Sequence, residues 1–169
     1  MAAAEQHHIM DTPKFDKPVK LAIVVSPYYK DIADNMVAGA KAEAEKAGAT
    51  VEIINVPGAL EIPPAIRIAY RQSNFDGFVA LGCIIRNDSS HGLMLLGLQG
   101  ANIGNGILTV ENRSQAEVRA DPKDQNKGGG AAAAALHLIA LQRKYGASNS
   151  GIGFLPRPSD DDDESFQIA

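Results

Sequence analysis

Residues 78–85 read Phe78-Val79-Ala80-Leu81-Gly82-Cys83-Ile84-Ile85. Eight residues without a polar alternation do not make a strand with one wet face, so this run reads as a strand buried within a parallel sheet. The polar stretch that follows, Arg86-Asn87-Asp88-Ser89-Ser90-His91, then leaves the carboxyl end of that strand.

Working outward, Lys20 to Val25 and Val51 to Val56 are similar short apolar runs, and residues 103–110 contain a fourth. Helical patterns separate them. Asp31 is expected to cap a helix to about Ala47, in which Ile32, Met36, Val37, Ala40 and Ala44 form one apolar stripe. Gly48 stops it. Pro57-Gly58 turns the chain, and Pro63 and Pro64 suit the first turn of a second helix carrying Ile66, Ala69 and Tyr70. Ser114 is expected to cap a short helix through Ala120, with Glu117 completing a capping box. A long helix is predicted from about Gly129 to Tyr145, its glycines and alanines marking a closely packed start. Alternating strands and helices predict a parallel sheet with helices on both faces, and ligands beyond the carboxyl ends of the strands.

The bulk composition narrows the partners. A length of 169 residues, 45% hydrophobic and 21% charged, suits one globular domain. A net charge of −4 provides no basic stripe, which argues against nucleic acid. Cys83 is the only cysteine, so an intrachain disulfide and a zinc cage are ruled out. No apolar run reaches membrane-spanning length, and a cytoplasmic location is expected. Residues 1–18, with His7 and His8, read as a disordered tail, residues 19–146 as the folded domain, and residues 147–169 as an acidic tail holding Asp160 to Glu164.

Several residues are of the right type for chemistry. His91, after a strand end and among hydroxyl groups, suits proton transfer near an anion site; a solvated loop histidine is the plainer reading. Arg119 and Lys127 flank Asp121-Pro122 and suit a phosphate, or are ordinary surface cations. Glu61 reads as a hydroxyl-binding carboxylate or a helix-start acid. Tyr28 and Tyr29 suit stacking on a planar ring, or core packing. No phosphate-binding glycine loop, dinucleotide fingerprint, paired metal-binding histidines or nucleophile elbow is present.

The stretches Val24-Val25-Ser26-Pro27-Tyr28-Tyr29, Val56-Pro57-Gly58-Ala59-Leu60-Glu61-Ile62-Pro63, Ala80-Leu81-Gly82-Cys83-Ile84-Ile85-Arg86 and Asn126-Lys127-Gly128 resemble the lumazine synthase family. The resemblance runs in order from about Lys20 to Tyr145. It implies a flavodoxin-like α/β fold, a three-layer α/β/α sandwich around a four-stranded parallel sheet. The implied reaction condenses 5-amino-6-(D-ribitylamino)uracil with 3,4-dihydroxy-2-butanone 4-phosphate in riboflavin biosynthesis, without a cofactor or metal. By motif position Tyr28 matches the ring-stacking aromatic, and Ala59, Leu60 and Glu61 the ribityl-binding segment. Cys83, Ile84 and Ile85 match the backbone that meets the ring, and Asp88 and Ser89 the butanone phosphate loop. His91 matches the proton-transfer histidine, Arg119 the phosphate-gripping arginine and Lys127 the supporting lysine. Asn105 stands where many members carry a ring-contacting phenylalanine of the neighbouring subunit. The implied assembly is a homo-oligomer, a pentamer or a 60-subunit shell.

Two departures stand out. Asn87 replaces a glycine, and the chain after His91 is shorter than the family pattern by about ten residues; the stretch left up to about Ala101 still meets the dozen or so residues that a parallel crossover needs, so the fold is expected to survive. The shortening supports an alternative: a shell, scaffold or flavin- or lumazine-binding protein of the same fold with impaired catalysis.

Overall fold

The computed structural model describes residues 10–85 and 90–148, with Ile85, Ser90, His91, Ala147 and Ser148 described by backbone alone. The expected tail segments 1–9 and 149–169, and the candidate residues Asp88 and Ser89, lie outside the described residues.

Four strands, β1 (Lys20–Val25), β2 (Thr50–Asn55), β3 (Gly77–Ile85) and β4 (Ile103–Val110), form one sheet in the order β2-β1-β3-β4. Every pairing is parallel. The helices are α1 (Lys30–Lys46), α2 (Ile62–Gln72), α3 (Ser90–Leu98), α4 (Arg113–Ala120) and α5 (Lys127–Ser148). Three layers result, because alternate residues of the strands enter two separate cores. Leu21, Ile23, Val25, Val79, Leu81 and Leu108 pack with Met36 and Ala40 of α1 and Leu136 and Ile139 of α5. Ala22, Val24, Phe78 and Ala80 pack with Ile62 and Ile66 of α2 and Leu93 and Leu96 of α3.

β1 and β3 are central and almost wholly buried, as their apolar runs require. β2 departs from that expectation: as an edge strand it leaves Ile53 exposed. The crossover between β3 and β4, expected to be short, spans the sheet, since the two strands pair in unbroken register from Phe78 with Ile103 to Ile85 with Val110. Against β4, α5 lies so close that a Cβ on Gly104 would sit 1.7 Å from the Ala131 carbonyl oxygen. The small residues at the start of α5 permit that approach.

Two cap expectations are corrected. α1 begins at Lys30 with no side-chain cap, so Asp31 lies inside its first turn, where its charge meets the helix dipole and the guanidinium of Arg113. At α4 the cap is Asn112, whose Oδ1 accepts from the Gln115 backbone N–H at 3.1 Å. Ser114 instead donates its hydroxyl to the same Oδ1, and Glu117 pairs with Arg113. Gly48, at φ +69°, ends α1 as the sequence suggests. Residues 10–18, read as the end of a tail, lie against the domain. Phe15 packs on the first core, the Thr12 hydroxyl donates to Glu43, and Arg143 donates to the carbonyl oxygens of Lys17 and Pro18.

Candidate active site

The sheet order reverses between β1 and β3, because the crossover from β1 leads to one side and that from β2 returns to the other. Loops leaving neighbouring strands diverge at such a point and open a crevice beyond the strand ends. A cleft of about 300 Å³ occupies it here, lined by Ser26, Tyr28, Tyr29, Gly58 to Glu61, Cys83 and Ile84. Six of the sequence-derived candidates, Tyr28, Ala59, Leu60, Glu61, Cys83 and Ile84, are therefore brought together.

Each reaches the cleft for a local reason. Pro27 ends the run of β1, and Tyr28 follows with 76% of its surface exposed. Its ring meets Tyr29 edge to face, centroids 5.0 Å apart, which leaves a broad ring surface open for stacking. Ala59–Glu61 form a short 3-10 turn that enters α2, with Pro63 and Pro64 in the first helical turn. The carboxylate of Glu61 folds back over Gly58, where a Cβ would stand 2.6 Å from Oε2. Cys83 is half-buried at the end of β3, and that burial pushes its thiol pKa above the ordinary value, with Arg113 opposing weakly. The thiol therefore stays neutral near pH 7.

Asn105, Arg119 and Lys127 line a second cleft of about 500 Å³ along the free edge of β4, with Thr109, Gln125 and Ala131. Arg119 is half-buried and donates through Nη1 to the Thr109 carbonyl oxygen at 3.0 Å. Lys127 is exposed at the start of α5 and makes no ion pair among the described residues. Two cations beside a helix N-terminus favour an anion. Asn105 turns its Oδ1 onto the Ile107 backbone N–H at 2.9 Å, on the strand edge that has no neighbouring strand among the described residues.

The two clefts share no lining residue within one chain. Ile85 continues β3 beyond the first cleft, and His91 lies in the first turn of α3. Next to it, Gly92 approaches Pro63 of α2: a Cβ there would be 3.2 Å from the proline ring. The backbone of His91 is thus anchored near the helix that Glu61 precedes. Sequence reasoning did not single out Ser26, Thr109 or Gln125; only Ser26, at a strand end before a proline, carried a signal in its position. Among the described residues no group of three His, Cys, Asp or Glu side chains gathers to hold a metal ion, and no helix is long and apolar enough to cross a membrane.

The family model of 6,7-dimethyl-8-ribityllumazine synthase matches residues 18–143. The 6,7-dimethyl-8-ribityllumazine synthase of Jannaschia sp. (strain CCS1) is 54% identical over 165 residues, covering 92% of this chain and 93% of its own. Those of Novosphingobium aromaticivorans and Zymomonas mobilis are 50% and 48% identical, covering 75% and 74% of this chain and 98% and 97% of theirs. For the first, 92% of 169 residues is about 155, so about ten of its 165 aligned positions lack a counterpart here. By its motifs, its sheet order and these likenesses, the chain belongs to the 6,7-dimethyl-8-ribityllumazine synthase family.

Proposed function

We propose that this chain condenses 5-amino-6-(D-ribitylamino)uracil with 3,4-dihydroxy-2-butanone 4-phosphate, in a site completed between two copies of itself. The observation that carries this reading is the division of labour between the clefts. One offers an exposed aromatic ring, a carboxylate and a strand end; the other, on a free sheet edge, offers the cations.

In this reading the uracil stacks on Tyr28 and meets the backbone of Cys83, Ile84 and Ile85. The ribityl chain lies along Ala59 and Leu60, with its hydroxyls on Glu61. Asp88 and Ser89 hold the butanone phosphate, and Arg119 and Lys127 of an adjacent copy grip its phosphate. Asn105 of that copy borders the ring, a polar neighbour where many relatives offer an aromatic one. The 5-amino nitrogen adds to the ketone carbon and water leaves, forming an imine. Breaking the C–O bond to phosphate then releases inorganic phosphate, and ring closure onto the ribitylamino nitrogen expels a second water. His91 moves the protons, which an imidazole does near neutral pH. Most of the acceleration comes from holding amine and ketone together.

The assembly, a pentamer or a 60-subunit shell, is supported by apolar side chains left in the open. Met94 is 61% and Leu98 82% exposed, and Leu98 borders a groove that continues to Ile103 and Leu138. A monomer seldom leaves such a patch uncovered. A cytoplasmic location belongs to the same reading.

The shortening beside His91 favours a second reading, a scaffold or lumazine-binding protein of the same fold, because displacement of a catalytic group by about 1 Å can cost ~10²-fold. Steady-state formation of the lumazine, followed by absorbance beside a His91→Ala control, separates them. Turnover at an ordinary enzyme rate that falls in the control supports the synthase; a folded oligomer that binds the product analogue without turnover supports the second reading.

A further inference from the structure

Asn126 is the only non-glycine residue with positive φ among the described residues, at 43°. Its hydrogen bonds join two helices. Its backbone N–H donates to the carbonyl oxygen of Asp121 at 3.0 Å, and Asp121 is the C-cap of α4, two residues beyond Arg119. Its own carbonyl accepts from Gly130 at 3.0 Å, and its Oδ1 accepts from the Gly129 N–H at 3.1 Å, both in the first turn of α5. Lys127 is the next residue.

The side chain is also enclosed. A Cβ on Gly39 of α1 would lie 2.1 Å from Oδ1, and one on Gly129 would lie 2.4 Å from Nδ2. A Cβ on Gly128 would lie 2.1 Å from the Met36 carbonyl oxygen. α1 and α5 therefore meet with room for the amide and little more, so α5 begins at one fixed place on α1.

We propose that Asn126 is a positioning residue that sets the separation of Arg119 and Lys127 for a phosphate group. Three features converge on it: the left-handed backbone that asparagine tolerates better than other side chains, the link to the end of α4, and the cap on α5. With another side chain the loop must take a different path, and the two cations part. This rests on the reading of that cleft as the phosphate site.

The test measures binding of inorganic phosphate to the full-length protein by titration calorimetry, with melting temperature recorded in parallel. Asn126→Ala loses both the backbone preference and the cap, and is expected to weaken phosphate binding about tenfold. Asn126→Gly keeps the backbone path but loses the cap, and is expected to weaken it about threefold; it decides alone should the alanine variant not fold. In turnover, KM for the butanone phosphate rises while KM for the ribitylaminouracil holds. A folded variant of either kind that melts lower but binds phosphate as the wild type does would overturn the proposal, leaving a purely structural role. A wild-type protein that binds no phosphate would overturn the phosphate reading and this inference with it.

Discussion

The Arg119 guanidinium is tethered to the Thr109 carbonyl oxygen at 3.0 Å, which ties the last turn of α4 to the end of β4. Among the described residues only one N–H of the fork is used, and the others remain for an anion. A hydrogen bond to a charged group contributes roughly 1.5–3 kcal/mol, so Arg119→Ala is expected to raise KM for the butanone phosphate about 10–100-fold. Arg119→Lys restores the charge without the fork and recovers part of the loss. Varying each substrate in turn checks this: equal rises in both KM values would show that Arg119 only braces the sheet edge.

Gly104 and Gly130 make opposite predictions from the same residue type. A Cβ on Gly104 would run into the Ala131 carbonyl oxygen at 1.7 Å, whereas one on Gly130 meets nothing within 4 Å. Gly104→Ala should destabilise by roughly 3 kcal/mol or more, because backbone on backbone cannot relax cheaply. Gly130→Ala should stabilise α5 by about 0.5–1 kcal/mol. Denaturant unfolding of the two variants decides both.

Asp31 titrates below the ordinary carboxylate range, first through the hydrogen bond from Arg113, whose own pKa the same pair raises. The sign follows from linkage. A carboxylate depressed in the folded state adds stability above its unfolded pKa, and loses it as pH falls through the folded value. Wild type and Asp31→Asn should therefore differ in melting temperature near neutral pH, begin to converge as pH falls below about 4, and meet only below the depressed folded value. The exposed pair makes the difference small and sensitive to salt. Parallel curves across that range would sink the assignment.

Cys83 lines the cleft proposed for the uracil, and its thiol is held neutral by burial. Alkylation by iodoacetamide should be slow at pH 7 and accelerate only above the ordinary thiol range, past about pH 8.5. Modified protein should lose turnover as label accumulates, because the added group fills the cleft. Mass spectrometry of timed samples beside activity checks both halves; full labelling with turnover intact would remove Cys83 from the site.

Much of this was legible along the chain. Apolar runs announced β1 and β3, since a buried parallel strand has no wet face to encode. The motif residues at 28, 59–61 and 83–84 were legible too, and they meet in one cleft. The caps were less so: Asn112 and Ser114 are both good cap residues, and the choice depended on which oxygen reached the Gln115 N–H. β2 read as a buried strand from composition, yet its place at the sheet edge leaves it exposed.

The sequence by itself determined the elements, because hydrophobic periodicity and turn residues act over a few positions. It also determined family membership, through short motifs. Only the tertiary structure decided that the order is β2-β1-β3-β4 and that Arg119 and Lys127 stand on a free edge apart from Glu61 and Tyr28. It alone placed the Asn126 amide between Gly39 and Gly129, residues distant from each other in sequence. Such relationships arise from how whole layers stack, and packing of backbone against backbone leaves no periodic trace in the chain.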